Sequence, residues 1–181
     1  MRKTMGAAFV VAIAATWPAA AQPVSPQPEF YDMSEVSSDW FYRDGSAEEG
    51  RPVWFLLRAG PRSFPPNCSI RLRPNDQLTP ATFAIYAGNL SDAEYGAFFE
   101  QGGLEIADMS ERTAVTVDGA PAVQSTLDAS MGGVSFTMLN TQMYRAGNIV
   151  SVLCSAVPDD FDDRRAAFEA FLDDVEFLSA E

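Results

Sequence analysis

The sequence predicts an α+β fold in which an antiparallel sheet of about six to eight strands is flanked by two main helices. Three observations support this fold. Alternating apolar and polar residues, separated by glycine turns, fill most of the segment 112–157. Two segments have helical spacing, one at 91–101 and one after Pro158. Both cysteines lie in segments that alternate as half-buried strands do.

The N-terminus has the organisation of an export signal. Arg2 and Lys3 precede an uncharged apolar run, Met5–Trp17, and small residues follow at Ala19–Ala21. We expect cleavage near Ala21, with the signal at 1–21, and a soluble periplasmic or secreted product. The run is too short to span a bilayer comfortably, and no later stretch approaches about 20 apolar residues, so no membrane span is predicted.

The segment after the signal begins the mature chain. Residues 22–29 contain three prolines and predict an extended leader, and 30–181 are predicted to form a single α+β domain. Within the domain, 39–44 contains three consecutive aromatic residues and 53–58 contains a consecutive apolar run that ends before Arg58, which predicts two early strands. A polar loop at 45–50 separates them.

Each cysteine lies on the apolar face of a predicted strand. Cys68, Ile70 and Leu72 alternate with polar residues, and Cys154 lies in a second alternating segment, 149–157. Two cysteines in an exported protein most simply form one disulfide. We therefore predict a structural Cys68–Cys154 bridge.

The segment 82–87 is compatible with either a strand or a helix. Phe83 and Ile85 alternate as in a strand, whereas Thr79 and Pro80 are typical of a helix start. We favour a strand here.

The two main helices have clearer signals. Ser91 and Glu94 are spaced as a capping box, which predicts a helix over 91–101 that ends at Gly102. The last helix is predicted to begin near Pro158. Its expected core face consists of Phe161, Phe168, Phe171, Leu172 and Val175.

Three dipeptides mark turns between successive strands: Asp-Gly at 118–119, Gly-Gly at 132–133 and Gly-Asn at 147–148. The strands that they connect most simply form an antiparallel meander. Residues 176–178 are predicted to add a short edge strand.

The composition excludes most catalytic machinery. The chain has no histidine, and its one lysine, Lys3, lies in the predicted signal. Serine or cysteine nucleophiles that depend on histidine or lysine therefore lack a base. No catalytic residue, metal site or cofactor is predicted. The acidic cluster at Asp159, Asp160, Asp162 and Asp163 lacks the spacing of a calcium loop, and we interpret it as the charged start of a helix.

The charge of the chain restricts its partners. Removing Arg2 and Lys3 with the signal leaves ten arginines against 25 acidic residues, a net charge of −15. Such a surface repels nucleic acid and anionic membranes. It would attract a basic envelope protein, so one hypothesis is an inhibitor or chaperone of a cationic partner. The sequence does not predict the oligomeric state.

Two surfaces are candidates for ligand binding. The first is an anion-binding patch on the polar faces of the two cysteine strands: Arg71, Arg73, Ser151 and Ser155. The second is an aromatic groove formed by Trp40, Tyr42 and Trp54. The alternatives are ion pairing of the arginines with nearby carboxylates and burial of the aromatic side chains in the core.

The C-terminal segments 144–148, 166–171 and 175–177, together with the order of elements, resemble the PsbP-like fold and its exported DcrB-like members. The resemblance covers roughly residues 30–178 and implies an α/β sandwich around an antiparallel sheet. Members act as assembly or accessory factors, and no site residue transfers. The leading hypothesis is an exported, non-enzymatic binding or accessory protein of the bacterial envelope. The alternative enzyme is a carboxylate-only hydrolase, which needs two carboxylates about 5–9 Å apart.

Overall fold

A computed structural model of the protein describes residues 25–43, 52–60, 64–100 and 103–178. Within those ranges lie ten β-strands and three α-helices. In chain order they are β1 (Tyr31–Asp32), β2 (Trp40–Tyr42), β3 (Val53–Leu57), β4 (Asn67–Pro74), α1 (Pro80–Asn89), α2 (Asp92–Glu100), β5 (Glu105–Met109), β6 (Thr113–Val117), β7 (Ala120–Met131), β8 (Val134–Arg145), β9 (Asn148–Ala156), α3 (Pro158–Asp174) and β10 (Glu176–Phe177). The predicted signal at 1–21 and the polar loop at 45–50 lie outside the described residues. The predicted leader is described from Ser25 onward.

Eight of the described strands form one antiparallel sheet in the order β2-β3-β4-β9-β8-β7, and β5 and β6 both pair with the outer edge of β7. Strands β6 to β9 follow one another through tight turns. At the first turn, Asp118 and Gly119 have φ values of 46° and 72°, the left-handed values that such hairpins require. The predicted α+β fold with an antiparallel sheet is confirmed.

The last strand lies outside that sheet. Residues 176–178 were expected at its edge, but β10 pairs instead with β1 in a separate two-stranded ribbon. Tyr31 lies opposite Phe177, and both side chains are buried. Strand β1 was not predicted, because a two-residue strand is too short to show alternation.

The segment 82–87 belongs to helix α1, so the strand expected there is wrong, and the structure has a third helix. Thr79 N donates to Thr82 Oγ1 at 2.7 Å, and Thr82 N donates to Thr79 Oγ1 at 3.2 Å. This reciprocal cap satisfies two backbone donors at the helix start. Phe83 is buried, whereas Ile85, its partner in the expected alternation, is 64% exposed.

Helix α2 begins at the predicted capping box. Ser91 N donates to Glu94 Oε2 at 2.8 Å, and Glu94 N donates to Ser91 Oγ at 3.2 Å. The hydrogen bonds from the Ser91 side chain and backbone lower the pKa of the Glu94 carboxyl. The cap therefore satisfies backbone donors at the start of α2, where the residues of the first turn are exposed.

Helix α3 covers one face of the main sheet with the apolar face that its spacing predicts. Phe168 and Phe171 are almost completely buried. The Phe171 ring centroid lies 4.7 Å from that of Trp40 and 5.5 Å from that of Phe55. Burying each such ring contributes about 1.5–3 kcal/mol, so this aromatic layer is a main source of stability.

Cys68 of β4 and Cys154 of β9 are joined by a disulfide across the two neighbouring strands. Their Cα atoms are 3.9 Å apart, and both side chains are buried on the α3 face. The two residues are 86 positions apart in sequence. The bridge therefore restricts the unfolded chain strongly, because it closes a long loop.

Replacing both cysteines, Cys68→Ala with Cys154→Ala, should lower the free energy of unfolding by about 2–4 kcal/mol, because the unfolded chain regains its freedom. Urea unfolding followed by circular dichroism measures this change. Reductant should lower the urea midpoint of the wild type and leave that of the double variant unchanged. Equal midpoints for the oxidised wild type and the variant would contradict a stabilising bridge.

Candidate functional site

The sheet face opposite α3 is only partly covered. Because side chains alternate along a strand, Asn67, Ser69 and Arg71 of β4 point away from α3. Helices α1 and α2 pack on this face over β5, β7 and β8. Beside them, over β3, β4 and β9, lies a groove of about 480 Å³. Small-molecule sites have volumes of about 300–1,000 Å³, so the groove has the size of a ligand site.

The walls of the groove are apolar and come from separate parts of the chain. The Phe64 ring, in the loop before β4, stacks on that of Phe136 with centroids 5.4 Å apart and an interplanar angle of 11°. The other main wall residues, from β3, α2, β8 and β9, are Trp54, Leu56, Phe98, Met138 and Leu153. An apolar ligand surface would therefore be buried on several sides.

The floor of the groove carries polar side chains. Ser155 Oγ donates to Asn67 Oδ1 at 3.1 Å, and Asn67 Nδ2 donates to the carbonyl oxygen of Pro65 at 3.0 Å. Ser69 is 1% exposed, and its Oγ has no hydrogen-bond partner within the described part of the chain. Leaving a buried hydroxyl unpaired costs about 1–3 kcal/mol, so Ser69 offers an unused hydrogen bond at the groove floor.

One end of the groove is positively charged. Arg43 and Arg71 line it, and none of its described lining residues is acidic. Arg73, the next residue of β4 on this face, lies over the Phe98 ring at 5.3 Å from its centroid. Burial, and then the nearby charge of Arg71, lower the pKa of the Arg73 guanidinium. The positive charges of Arg43 and Arg71 therefore have no carboxylate partner among the described residues that line the groove.

No family model matches the sequence, and no curated protein matches it. Among solved structures, the chain is similar to CyanoP, the cyanobacterial PsbP of Synechocystis sp. PCC 6803, with a TM-score of 0.51 and 15% identity, covering 96% of this chain and 99% of that one. It is also similar to LpqN, involved in cell envelope biogenesis of Mycobacterium tuberculosis, with a TM-score of 0.52 and 16% identity, covering 79% and 80%. The chain has the PsbP-like fold.

At this level of identity the PsbP-like fold is shared, and no site residue is carried over. The resemblance to DcrB-like members stays a prediction. None of the helices that the structure describes has the length and apolarity needed to cross a bilayer. In the described ranges, acidic and cysteine side chains form no group of three that could hold a metal ion.

The PsbP-like sheet brings the four residues of the predicted anion patch to one face. Arg71 lies opposite Ser151 in the β4–β9 pair, and Ser155 lies further along β9 on the same face, as does Arg73 along β4. Of these, Arg71 and Ser155 line the groove. Their role in binding an anion stays a prediction.

The predicted aromatic groove of Trp40, Tyr42 and Trp54 needs correction. Trp40 packs on Phe171 in the α3 core, and the Tyr42 ring lies 6.2 Å from that of Phe55 on the same face. Trp54 alone of the three lines the groove. The register of β2 on β3 causes this split, because Tyr42 pairs with Phe55 and not with Trp54.

Three residues of the groove were not predicted from the sequence. Phe64 and Phe98 come from a loop and a helix, and no periodicity connects them to the sheet. Ser69 had a usable signal, since it alternates with Cys68 and Ile70 and so had to lie on the opposite face. The alternation does not indicate that this face of the sheet stays partly uncovered by helices.

A buried polar cluster holds α2 beside the groove. Tyr95 Oη lies 3.2 Å from Ser125 Oγ, and Asn140 Nδ2 donates to the same Oη. The Arg112 guanidinium lies 5.1 Å from the Tyr95 ring centroid. Burial raises the pKa of the Tyr95 hydroxyl, which therefore stays protonated and can donate or accept. This cluster positions Phe98 at the groove wall.

Two serine variants test whether the Ser69 hydroxyl is unpaired. Ser125→Ala should destabilise the fold by about 1 kcal/mol, because it removes a partner of Tyr95. Ser69→Ala should stabilise the fold, by up to about 1–3 kcal/mol, because it removes a buried group without a described partner. Urea unfolding measures both changes. Equal destabilisation by the two substitutions would show that Ser69 is paired in the folded protein.

Proposed function

We propose that this chain is an exported, non-enzymatic binding or accessory protein of the bacterial envelope, with the groove as its binding site. The observation that carries the proposal is the groove itself, which combines apolar walls, a buried hydrogen-bonding floor and a positive end. Apolar pockets with a few convergent polar groups are typical ligand sites.

The chemistry of the groove supports binding over catalysis. Its described polar side chains are arginine, asparagine and serine, and the chain contains no histidine to activate a serine. The one lysine lies in the predicted signal. A nucleophile in this groove would therefore have no general base among the described lining residues.

The carboxylate-only hydrolase finds less support. A second cavity, between β7, β8 and the first turns of α3, contains Asp128 and Asp162. Asp128 Oδ1 accepts a hydrogen bond from Thr137 Oγ1 at 2.6 Å, and Arg165 Nη2 donates to Thr126 Oγ1 at 3.2 Å. Asp128 is thus hydrogen-bonded within the sheet, and Asp162 is an exposed residue of α3.

The proposed export and envelope location are supported by observations that do not involve the groove. The predicted signal at 1–21 and the disulfide fit an oxidising compartment. The similar fold of LpqN, a protein involved in cell envelope biogenesis, agrees with an accessory role there. The alternative role, as inhibitor or chaperone of a cationic envelope protein, is supported by the net charge of −15 and by no particular surface described.

The proposal can be tested on protein exported with its own signal in a bacterial host. We expect N-terminal sequencing of the periplasmic form to begin at Gln22. Native mass spectrometry of that form should show an added non-protein mass, and Leu153→Trp should remove it, because the indole would fill the groove.

Ile85→Trp is the matched control, since Ile85 is 64% exposed on α1 away from the groove. It should retain the added mass, and circular dichroism should show both variants folded. Protein that remains in the cytoplasm with Met1 attached would contradict export. An added mass that Leu153→Trp retains, or no added mass in the wild type, would contradict the groove as the binding site.

A further inference from the structure

The groove changes character along its length, and the strand register shows how. Near the β7–β8 turn it is apolar: Phe136 stacks on Phe64, and Met131 and Val134 are 48% and 47% exposed. All four residues line the groove. Exposed apolar side chains beside a cavity indicate a surface that an apolar ligand can cover.

Towards the other end, the same face becomes cationic. Arg71 lies four residues beyond Asn67 on β4, about 13 Å away at the usual rise of a strand. It makes no ion pair with any residue that the structure describes. Arg43 directly follows β2, its N–H donates to the carbonyl of Trp54 at 2.8 Å, and it also lines the groove. The groove thus has an apolar end and a cationic end.

This distribution differs from that of the chain as a whole. After signal removal the net charge is −15, yet the described groove residues include two arginines and no carboxylate. Salt screens distant surface charges beyond about 8–10 Å, and the charged side chains among the described groove residues are both arginines. A negatively charged group would be stabilised at this end and a positive one repelled.

The floor adds a directional contact between the two ends. Ser69 lies between Asn67 and Arg71 on the groove face of β4, and its buried Oγ has no described partner. The Ser69 hydroxyl can donate a hydrogen bond to an oxygen of an anionic group that also contacts Arg71. Arginine presents several donors in a planar fork, which suits carboxylate and phosphate groups.

We propose that the groove binds an anionic amphiphile, with its acid group at Arg71 and Arg43 and its apolar chain over Met138 and Phe136. The proposal rests on the proposed function, because it names the ligand class of the same groove. A bound peptide would instead place polar backbone groups along the apolar walls, where the described residues offer few partners.

Calorimetric titration of the processed, disulfide-bonded chain, freed of its natural added mass by unfolding in urea and refolding, with three probes that share a ten-carbon chain tests the ligand class. The probes are decanoate, decanol and decyltrimethylammonium, each below its micelle concentration. We expect decanoate to bind at least about tenfold more tightly than decyltrimethylammonium. Attraction by the net negative charge alone would produce the opposite order, so this comparison separates local from overall electrostatics.

Variants locate the acid group. Arg71→Gln should weaken decanoate binding about tenfold and leave decanol binding unchanged, because only the charged head contacts Arg71. Arg164→Gln makes the same charge change on α3, across the sheet, and should leave both affinities unchanged. Leu153→Trp should weaken all probes that enter the groove.

Each other result overturns a defined part of the proposal. Equal affinities for decanoate and decanol, both unchanged by Arg71→Gln, would show that the groove binds apolar chains without selecting an anionic group. That result would contradict the proposed ligand class. If no probe binds while Leu153→Trp still removes the natural added mass, the ligand is not an amphiphile and the proposed function stands. If no probe binds and the wild type carries no added mass, both proposals fail.

Discussion

Strands β4 and β9 pair with Cys68 opposite Cys154, and this register determines which side chains face α3 and which line the groove. A slip of one residue would turn Ser69 and Arg71 towards the α3 core and Ile70 towards the groove. The disulfide joins two directly opposed residues, so it is compatible with this register alone. The chemistry of the groove therefore depends on a bond that lies on the other face of the sheet.

The two faces of the sheet differ in the number of polar residues that are buried on them. Ten polar residues are buried in the described ranges, and seven of them lie on the groove face: Asn67, Ser69, Ser125, Asn140, Gln142, Ser151 and Ser155. The α3 face is packed mainly by aromatic and aliphatic side chains. A sheet used only as a scaffold would gain stability from apolar residues on both faces. Ser125 and Asn140 meet Tyr95 of α2, whereas Asn67, Ser69 and Ser155 line the groove, so only part of this polar set faces the groove.

Much of the fold follows from local sequence signals, whereas the groove does not. The Asp118–Gly119 turn and the helical spacing of Phe168 and Phe171 identify β6, β7 and α3 directly. Helix α1 was mistaken for a strand because Phe83 and Ile85 alternate, whereas its buried side chains, Phe83 and Ala87, are four residues apart and the Thr79 cap begins a helix. The groove exists because the helices leave β3 and β4 partly uncovered, and that is a matter of tertiary packing.

The placement of the tryptophans gives the molecule two internal fluorophores with separate surroundings. Of three tryptophans, one lies in the predicted signal, Trp40 is 2% exposed in the α3 core, and Trp54 lines the groove. The emission of Trp40 reports whether α3 is packed on the sheet, and the emission of Trp54 reports the polarity of the groove. In a chain that lacks the predicted signal, Trp40→Phe would leave Trp54 as the single indole, whose emission would report occupancy of the groove without any attached label.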